Sequence, residues 1–291
     1  MVQEGAVICM NHFLYQNIHI VSAAAATAGG VCSLTVSTEQ PYLKDHDVGL
    51  PLFGTVLSLE AMAEARSCFQ SAPITRIRNI TAGKDCLFSR GSVQELTCYA
   101  CAEQLELFYK NDLVFRCLMS SSSPLPVQEA ITSERSFLRP HCRGASRADI
   151  YSSLFHGPSF QVLEHAVACE SKIITQLNPD LPPLSEDPDY QTLLPLRWIE
   201  FCLQSFGMWE LAFADCVSVP LAIAQIDLYT HQMPETGYAI AESQPKGGHI
   251  LAVSAQGEPV LEVTGYQTRQ MPYGENNSQA LRAKLLAHES L

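Results

Sequence analysis

The chain of 291 residues carries 18 Lys and Arg against 30 Asp and Glu, a formal net charge of −12. With 47% hydrophobic and only 16% charged residues it has ample material for a core and too little charge for a disordered chain. The acidic balance argues against a non-specific nucleic-acid binder, which needs a basic surface. The length allows one large domain or two of about 145 residues.

No stretch reads as membrane-spanning. The most apolar one, Ile18 to Val36, is broken by His19, by Ser and Thr, and by Gly29-Gly30, where a span needs about 18 apolar residues. The start MVQEGAV has no positive region, so no secretory signal and a cytoplasmic location are expected. Eleven cysteines without an export signal predict free buried thiols rather than a disulfide framework. Cys98 and Cys101 form the one C-x-x-C. Strand-like alternation around them points the two side chains to opposite faces.

In chain order, Asn17 to Val36 reads as one or two strands. Val56 to Phe69 has helical spacing and good helix formers. Ile74 to Ile80 and Glu95 to Phe108 alternate, Lys110-Asn111-Asp112 is a turn, and Leu113 to Ser120 returns as a hairpin arm. Ser120 to Asp149, rich in Ser, Pro and scattered charge, is the best linker. The plan then repeats. Val162 to Ile174 predicts strands, Leu177 to Asp189 a loop, and Arg197 to Ala214 a long apolar helix. Strands follow at Leu221 to Tyr229, Gly237 to Ala241, His249 to Ser254 and Val260 to Thr268, then a polar, weakly helical tail. A helix apolar nearly all round must be enclosed. One solution is a curved antiparallel sheet wrapping a central helix, an α+β unit occurring here twice. The expected division is residues 1–125, a linker at 126–148, a second half at 149–272 and a tail at 273–291.

The sharpest segment is Asp45 to Glu64, DHDVGLPLFGTVLSLEAMAE. His46 ends an extended stretch, Gly49, Pro51 and Gly54 make a turn, and Thr55 stands at the helix start. Glu60 lies in the helix, 14 residues after His46. This segment resembles the active-site signature of the hotdog-fold β-hydroxyacyl-carrier-protein dehydratases, H-F-P-G-x-P-x-x-P-G-V-x-x-x-E-A-M-A-Q. His46, Gly49, Pro51, Val56, Glu60, Ala61, Met62 and Ala63 fall in register. Gly54, Thr55 and Glu64 replace the family's Pro, Gly and Gln. Leu154 to Leu163, LFHGPSFQVL, resembles the G-P-x-F-Q element that opens the second half of polyketide synthase dehydratase domains, with His156 where those often carry an aromatic residue. In Pro195 to Gly207, Glu200 and Gln204 stand one helical turn apart, where polyketide dehydratases place an Asp followed by Gln or His.

The resemblance covers about residues 17 to 270 and implies a double hotdog: two antiparallel sheets, each wrapping a central helix. It implies a hydro-lyase removing water from a β-hydroxyacyl thioester. In that family each site combines a His of one hotdog unit with an acid of the other, so His46 is expected to work with Glu200. The reciprocal partner of Glu60, 14 residues before Glu200, is Glu186 rather than a histidine. Glu60 is therefore read as a helix residue without a catalytic partner, and as the alternative acid. His46 would take the α-proton, and Glu200, among Trp198, Phe201 and Phe206, would protonate the leaving hydroxyl. Gln204 would hold the carboxyl group, while Gly54 and Thr55, with Gly157 and Pro158, would bind substrate. No metal or cofactor is called for. The implied partners are an acyl carrier protein delivering substrate on phosphopantetheine and neighbouring synthase domains, with a homodimer as a further expectation and neither nucleic acid nor membrane. An acidic carrier protein needs a basic patch, for which Arg76, Arg78, Lys84 and Arg90, or Arg135, Arg139, Arg143 and Arg147, are the candidate clusters. A hotdog thioesterase, a cyclase or isomerase, and a catalytically degenerate docking module are the alternatives on the same scaffold.

Overall fold

A computed structural model describes residues 15, 18–24, 29–122, 144–270 and 278–286. Its chain forms two compact units, one of Met1–Ser123 with Pro182–Leu196, the other of Pro124–Leu181 with Arg197–Leu291.

The first unit holds strands β1 (His19–Ala24) and β2 (Gly29–Ser37), a short helix α1 (Pro41–Lys44), helix α2 (Thr55–Ser67), and strands β3 (Arg76–Ala82), β4 (Val93–Cys101), β5 (Gln104–Tyr109) and β6 (Asp112–Ser120). The strands pair antiparallel in the order β1-β2-β4-β5-β6-β3. The alternating run from Glu95 to Phe108 is two strands rather than one. Ala102 adopts a positive φ of 51° and turns the chain between them. The predicted turn, at Lys110 and Asn111, also has positive φ values, 50° and 68°. Helix α2 packs against β2, β4, β5 and β6. Every residue from Thr55 to Arg66 is buried. Its apolar side chains, at about 1.5–3 kcal/mol for each large one buried, make this helix the core of the unit. The β4 pattern delivers Cys98 inward and Cys101 outward, as alternation requires.

The second unit begins inside the predicted linker. Residues 123–143 lie outside the described ones, but Ala145–Ser146 is already a strand, β7, and Arg147–Tyr151 a helix, α3. Local chemistry explains that early start. Ser146 accepts from the Asp149 N–H while Asp149 accepts from the Ser146 N–H, a capping box. Strands β8 (Leu163–Cys169) and β9 (Lys172–Leu177), helix α4 (Leu196–Trp209), strands β10 (Ser218–Leu228), β11 (Gly237–Gln244), β12 (Gly247–Ser254) and β13 (Pro259–Gln270), and helix α5 (Ser278–Leu285) complete it. The antiparallel order is β10-β13-β12-β11-β9-β8-β7. The long apolar helix ends at Trp209 and passes into one π-helical turn, Glu210–Ala214, closed by Asp215 at φ 53°. Aromatic and hydroxyl contacts seat α4 on the sheet. Phe206 meets Tyr266 at 5.4 Å, and Ser205 hydrogen-bonds Thr175. A Cβ on Gly237 would stand 2.4 Å from the Trp198 ring, and one on Gly248 2.6 Å from the Phe206 ring.

No helix among the described residues is long and apolar enough to cross a membrane.

Candidate active site

In the first unit, His46 is buried and held from two sides. Its Nδ1 lies 2.9 Å from the Leu52 carbonyl oxygen, and its own carbonyl accepts from the Leu52 N–H at 2.8 Å. The loop between them is a tight return. Asp47 pairs with Pro51, and Gly49 takes φ 106°, which favours glycine. The Asp47 carboxylate accepts from the Gly49 N–H at 2.7 Å and pairs with Arg90 at 2.8 Å. A carbonyl oxygen only accepts, so Nδ1 carries a hydrogen, and in the neutral ring Nε2 keeps its lone pair. Gly54, the residue before α2, packs on the imidazole. A Cβ there would fall 2.2 Å from His46 Cε1. The family's Pro at this position could not sit against a ring so placed. Thr55 opens α2 and is buried. The first turn of that helix presents backbone N–H groups without intrahelical partners.

Glu60, fully buried on α2, accepts the N–H of Leu193 at 2.6 Å on one oxygen and that of Leu194 at 2.9 Å on the other. Burial pushes its carboxyl up to about 8, against the pull of those two donors. The donors belong to Pro182–Leu196, the segment of the later chain that packs with the first unit. Tyr42 N–H donates to Leu184 O at 3.0 Å, and Glu186 N–H to the Gln40 side chain at 3.2 Å. Glu186 itself is exposed. Glu64 receives the Tyr15 N–H.

In the second unit, Glu200 lies on α4 and is 5% exposed. The spacing to Gln204 closes as expected, with Gln204 Nε2 donating to Glu200 Oε1 at 2.8 Å and to the Phe160 carbonyl at 2.9 Å. Gln204 Oε1 accepts from the Tyr151 hydroxyl at 2.7 Å, and that hydroxyl accepts from the Leu163 N–H at 2.8 Å. Burial, with the nearby Glu200 charge as a lesser cause, holds the Tyr151 phenol well above its usual range, so it stays a donor. Gly157 precedes a single 3-10 turn, Pro158–Phe160, whose Phe160 N–H returns to the Gly157 carbonyl at 3.0 Å. The Gly-Pro element thus brings the Phe160 carbonyl to Gln204. His156 Nε2 stands 3.2 Å from Glu200 Oε1, both side chains under a tenth exposed, and its ring stacks on Phe155 at 4.1 Å.

Two residues here have no role in the sequence reading. His156 is visible in its motif only as a replacement for an aromatic residue. Tyr151 falls next to the supposed linker. A histidine beside Gly-Pro, together with a carboxylate elsewhere, is the signal that could have joined His156 to Glu200. Of the basic clusters, Arg78 pairs with Glu103 at 3.0 Å, Lys84 with Asp112, Arg90 with Asp47, and Arg147 with Glu164 at 3.7 Å. Arg135, Arg139 and Arg143 lie outside the described residues.

Residues 138–277 match the family model described as the polyketide synthase dehydratase N-terminal domain. That match covers 140 of the 291 residues and marks this part of the chain as similar to polyketide synthase dehydratase domains. Among solved structures, it is similar to the dehydratase domain from the CurF module of curacin polyketide synthase, with TM-score 0.70, 16% identity, and coverage of 89% of this chain and 99% of that one. A trans-AT polyketide synthase dehydratase domain from Brevibacillus brevis gives TM-score 0.70, 17% identity and coverage of 89% and 99%. The pyran synthase domain from module nine of the sorangicin pathway gives TM-score 0.69, 18% identity and coverage of 90% and 100%. These establish the double-hotdog fold. No curated protein matches the chain. The family match over residues 138–277 and the shared fold support a hydro-lyase acting on a β-hydroxyacyl thioester in polyketide biosynthesis.

Proposed function

We propose that this chain is a dehydratase with His46 and Glu200 as its base and acid, acting on an acyl chain delivered by a carrier protein on phosphopantetheine. The observation that carries the reading is the prepared state of each group within its own unit. Leu52 O fixes the His46 tautomer with Nε2 as the base, and Gln204 fixes one oxygen of Glu200. His46 Nε2 takes the Cα proton. The electron pair of that bond becomes the Cα–Cβ double bond. The Cβ–O bond breaks with its pair on oxygen, which takes the Glu200 proton and leaves as water. The first-turn N–H groups after Gly54 polarise the thioester carbonyl, at the end of a helix whose dipole favours negative charge. Both proton transfers use side chains alone, so no cofactor enters the scheme. The Gly157-Pro158 turn supports substrate binding by holding the Phe160 carbonyl on Gln204.

Free thiols among the described cysteines support a reducing cytoplasmic setting. Docking of an acidic carrier protein would have to draw Arg78, Lys84 or Arg90 from their present carboxylates. A homodimer is the assembly we would test for.

Incubation with a 3-hydroxyacyl pantetheine thioester should give loss of water by mass spectrometry, abolished in His46→Ala. Release of the free acid would mean a thioesterase, and an unsaturated product from His46→Ala at the wild-type rate would remove His46 from the mechanism.

A further inference from the structure

We propose that His156 is a positioning residue that decides which oxygen of Glu200 carries the catalytic proton. The inference rests on the reading of Glu200 as the acid and deepens it. Glu200 Oε1 receives Gln204 Nε2 at 2.8 Å and faces His156 Nε2 at 3.2 Å. A carboxyl oxygen offers two lone pairs. With Nε2 of His156 protonated, both approaches are donors and both lone pairs of Oε1 are engaged. The acid proton then belongs on Oε2, a single defined position rather than an average over two.

Each donor is itself braced. Gln204 is oriented by the Phe160 carbonyl and the Tyr151 hydroxyl. The His156 ring is stacked on Phe155, and its carbonyl accepts from Gln161 Nε2 at 3.2 Å. The same two donors act after the chemistry. Once Oε2–H has gone to the departing oxygen, Glu200 is a carboxylate in a nearly closed site. Hydrogen bonds to a charged group are stronger than those to a neutral one. His156 therefore stabilises the form of Glu200 that develops in the transition state, and its removal should act on kcat.

His156→Phe keeps a ring that can stack on Phe155 and deletes the N–H. It should lower kcat about tenfold to a hundredfold, with KM changed less than about threefold. His156→Gln, whose side-chain N–H can reach a similar point, should recover most of that loss. Full kcat in His156→Phe, or no recovery in His156→Gln, would overturn the proposal. Nitrogen NMR of 15N-histidine wild-type protein gives a test independent of any variant. The Nε2-protonated tautomer of His156 is expected, and an Nδ1-protonated neutral ring would overturn it. Glu200→Gln assayed in parallel separates the two readings. An inactive Glu200→Gln beside a fully active His156→Phe would fail only the positioning role, whereas an active Glu200→Gln would fail the acid assignment itself.

Discussion

Two buried carboxylates sit on two enclosed helices, and their partners differ in kind. Glu60 on α2 is met on both oxygens by consecutive backbone N–H groups, Leu193 and Leu194. Glu200 on α4 receives side chains, Gln204 and His156, at Oε1. Backbone donors in a packed segment stay where they are and hold a carboxylate as a fastening. Side-chain donors that are themselves oriented leave the group able to give and regain a proton. The two halves thus keep the same helix design and use its acid differently. One ties down Pro182–Leu196, and the other is the acid of the proposed mechanism.

Gly54→Ala attacks the catalytic side of this comparison through the base. The added methyl would collide with the His46 ring at 2.2 Å, so the imidazole must turn off the Leu52 carbonyl. A loss of about a hundredfold or more in kcat is expected with little change in melting temperature. Wild-type turnover would show that the ring position does not matter. On the fastening side, Glu60→Ala strands two buried N–H groups. It should cost about 2–4 kcal/mol of unfolding free energy read by urea denaturation, and a change within about 0.5 kcal/mol would break the comparison.

The smallest expected effect lies away from both helices. His249 stands between Glu262, at 2.8 Å, and Glu242, at 3.4 Å. The Glu262 hydrogen bond raises the His249 pKa above 6.5 despite burial. His249 in turn lowers Glu262 below 4.5. A raised histidine stabilises the fold below its unfolded value and loses that contribution as pH rises through its folded value. A lowered carboxylate stabilises above its unfolded value and loses it as pH falls through its folded value. The pair therefore contributes fully between about 4.5 and 6.5 and fades on either side. The site is partly exposed, so about 0.5–1 kcal/mol is expected. Melting curves of wild type and His249→Gln should converge above neutral pH. A difference independent of pH would contradict the ion-pair origin.

Much of this was legible in the sequence because it is periodic. Helices α2 and α4, the strands around them and the four-residue step from Glu200 to Gln204 follow from spacing. The family resemblance singled out His46. Illegible were the long-range partners. Nothing near Glu60 announces Leu193 and Leu194, over 130 residues away and donating through backbone that any residue would supply. Ser146 and Asp149 form a capping box inside what composition reads as linker. His156 meets Glu200 only after the chain has folded.

The central claim, that Glu200 is the acid and Glu60 a fastening, is tested most directly by comparing Glu200→Gln and Glu60→Gln on one 3-hydroxyacyl pantetheine thioester, reading water loss by mass spectrometry at a temperature where both variants remain folded. Glu200→Gln should lose about a hundredfold or more, while Glu60→Gln should keep at least roughly a tenth of wild-type turnover. An inactive Glu60→Gln beside an active Glu200→Gln would reverse the assignment of the two carboxylates.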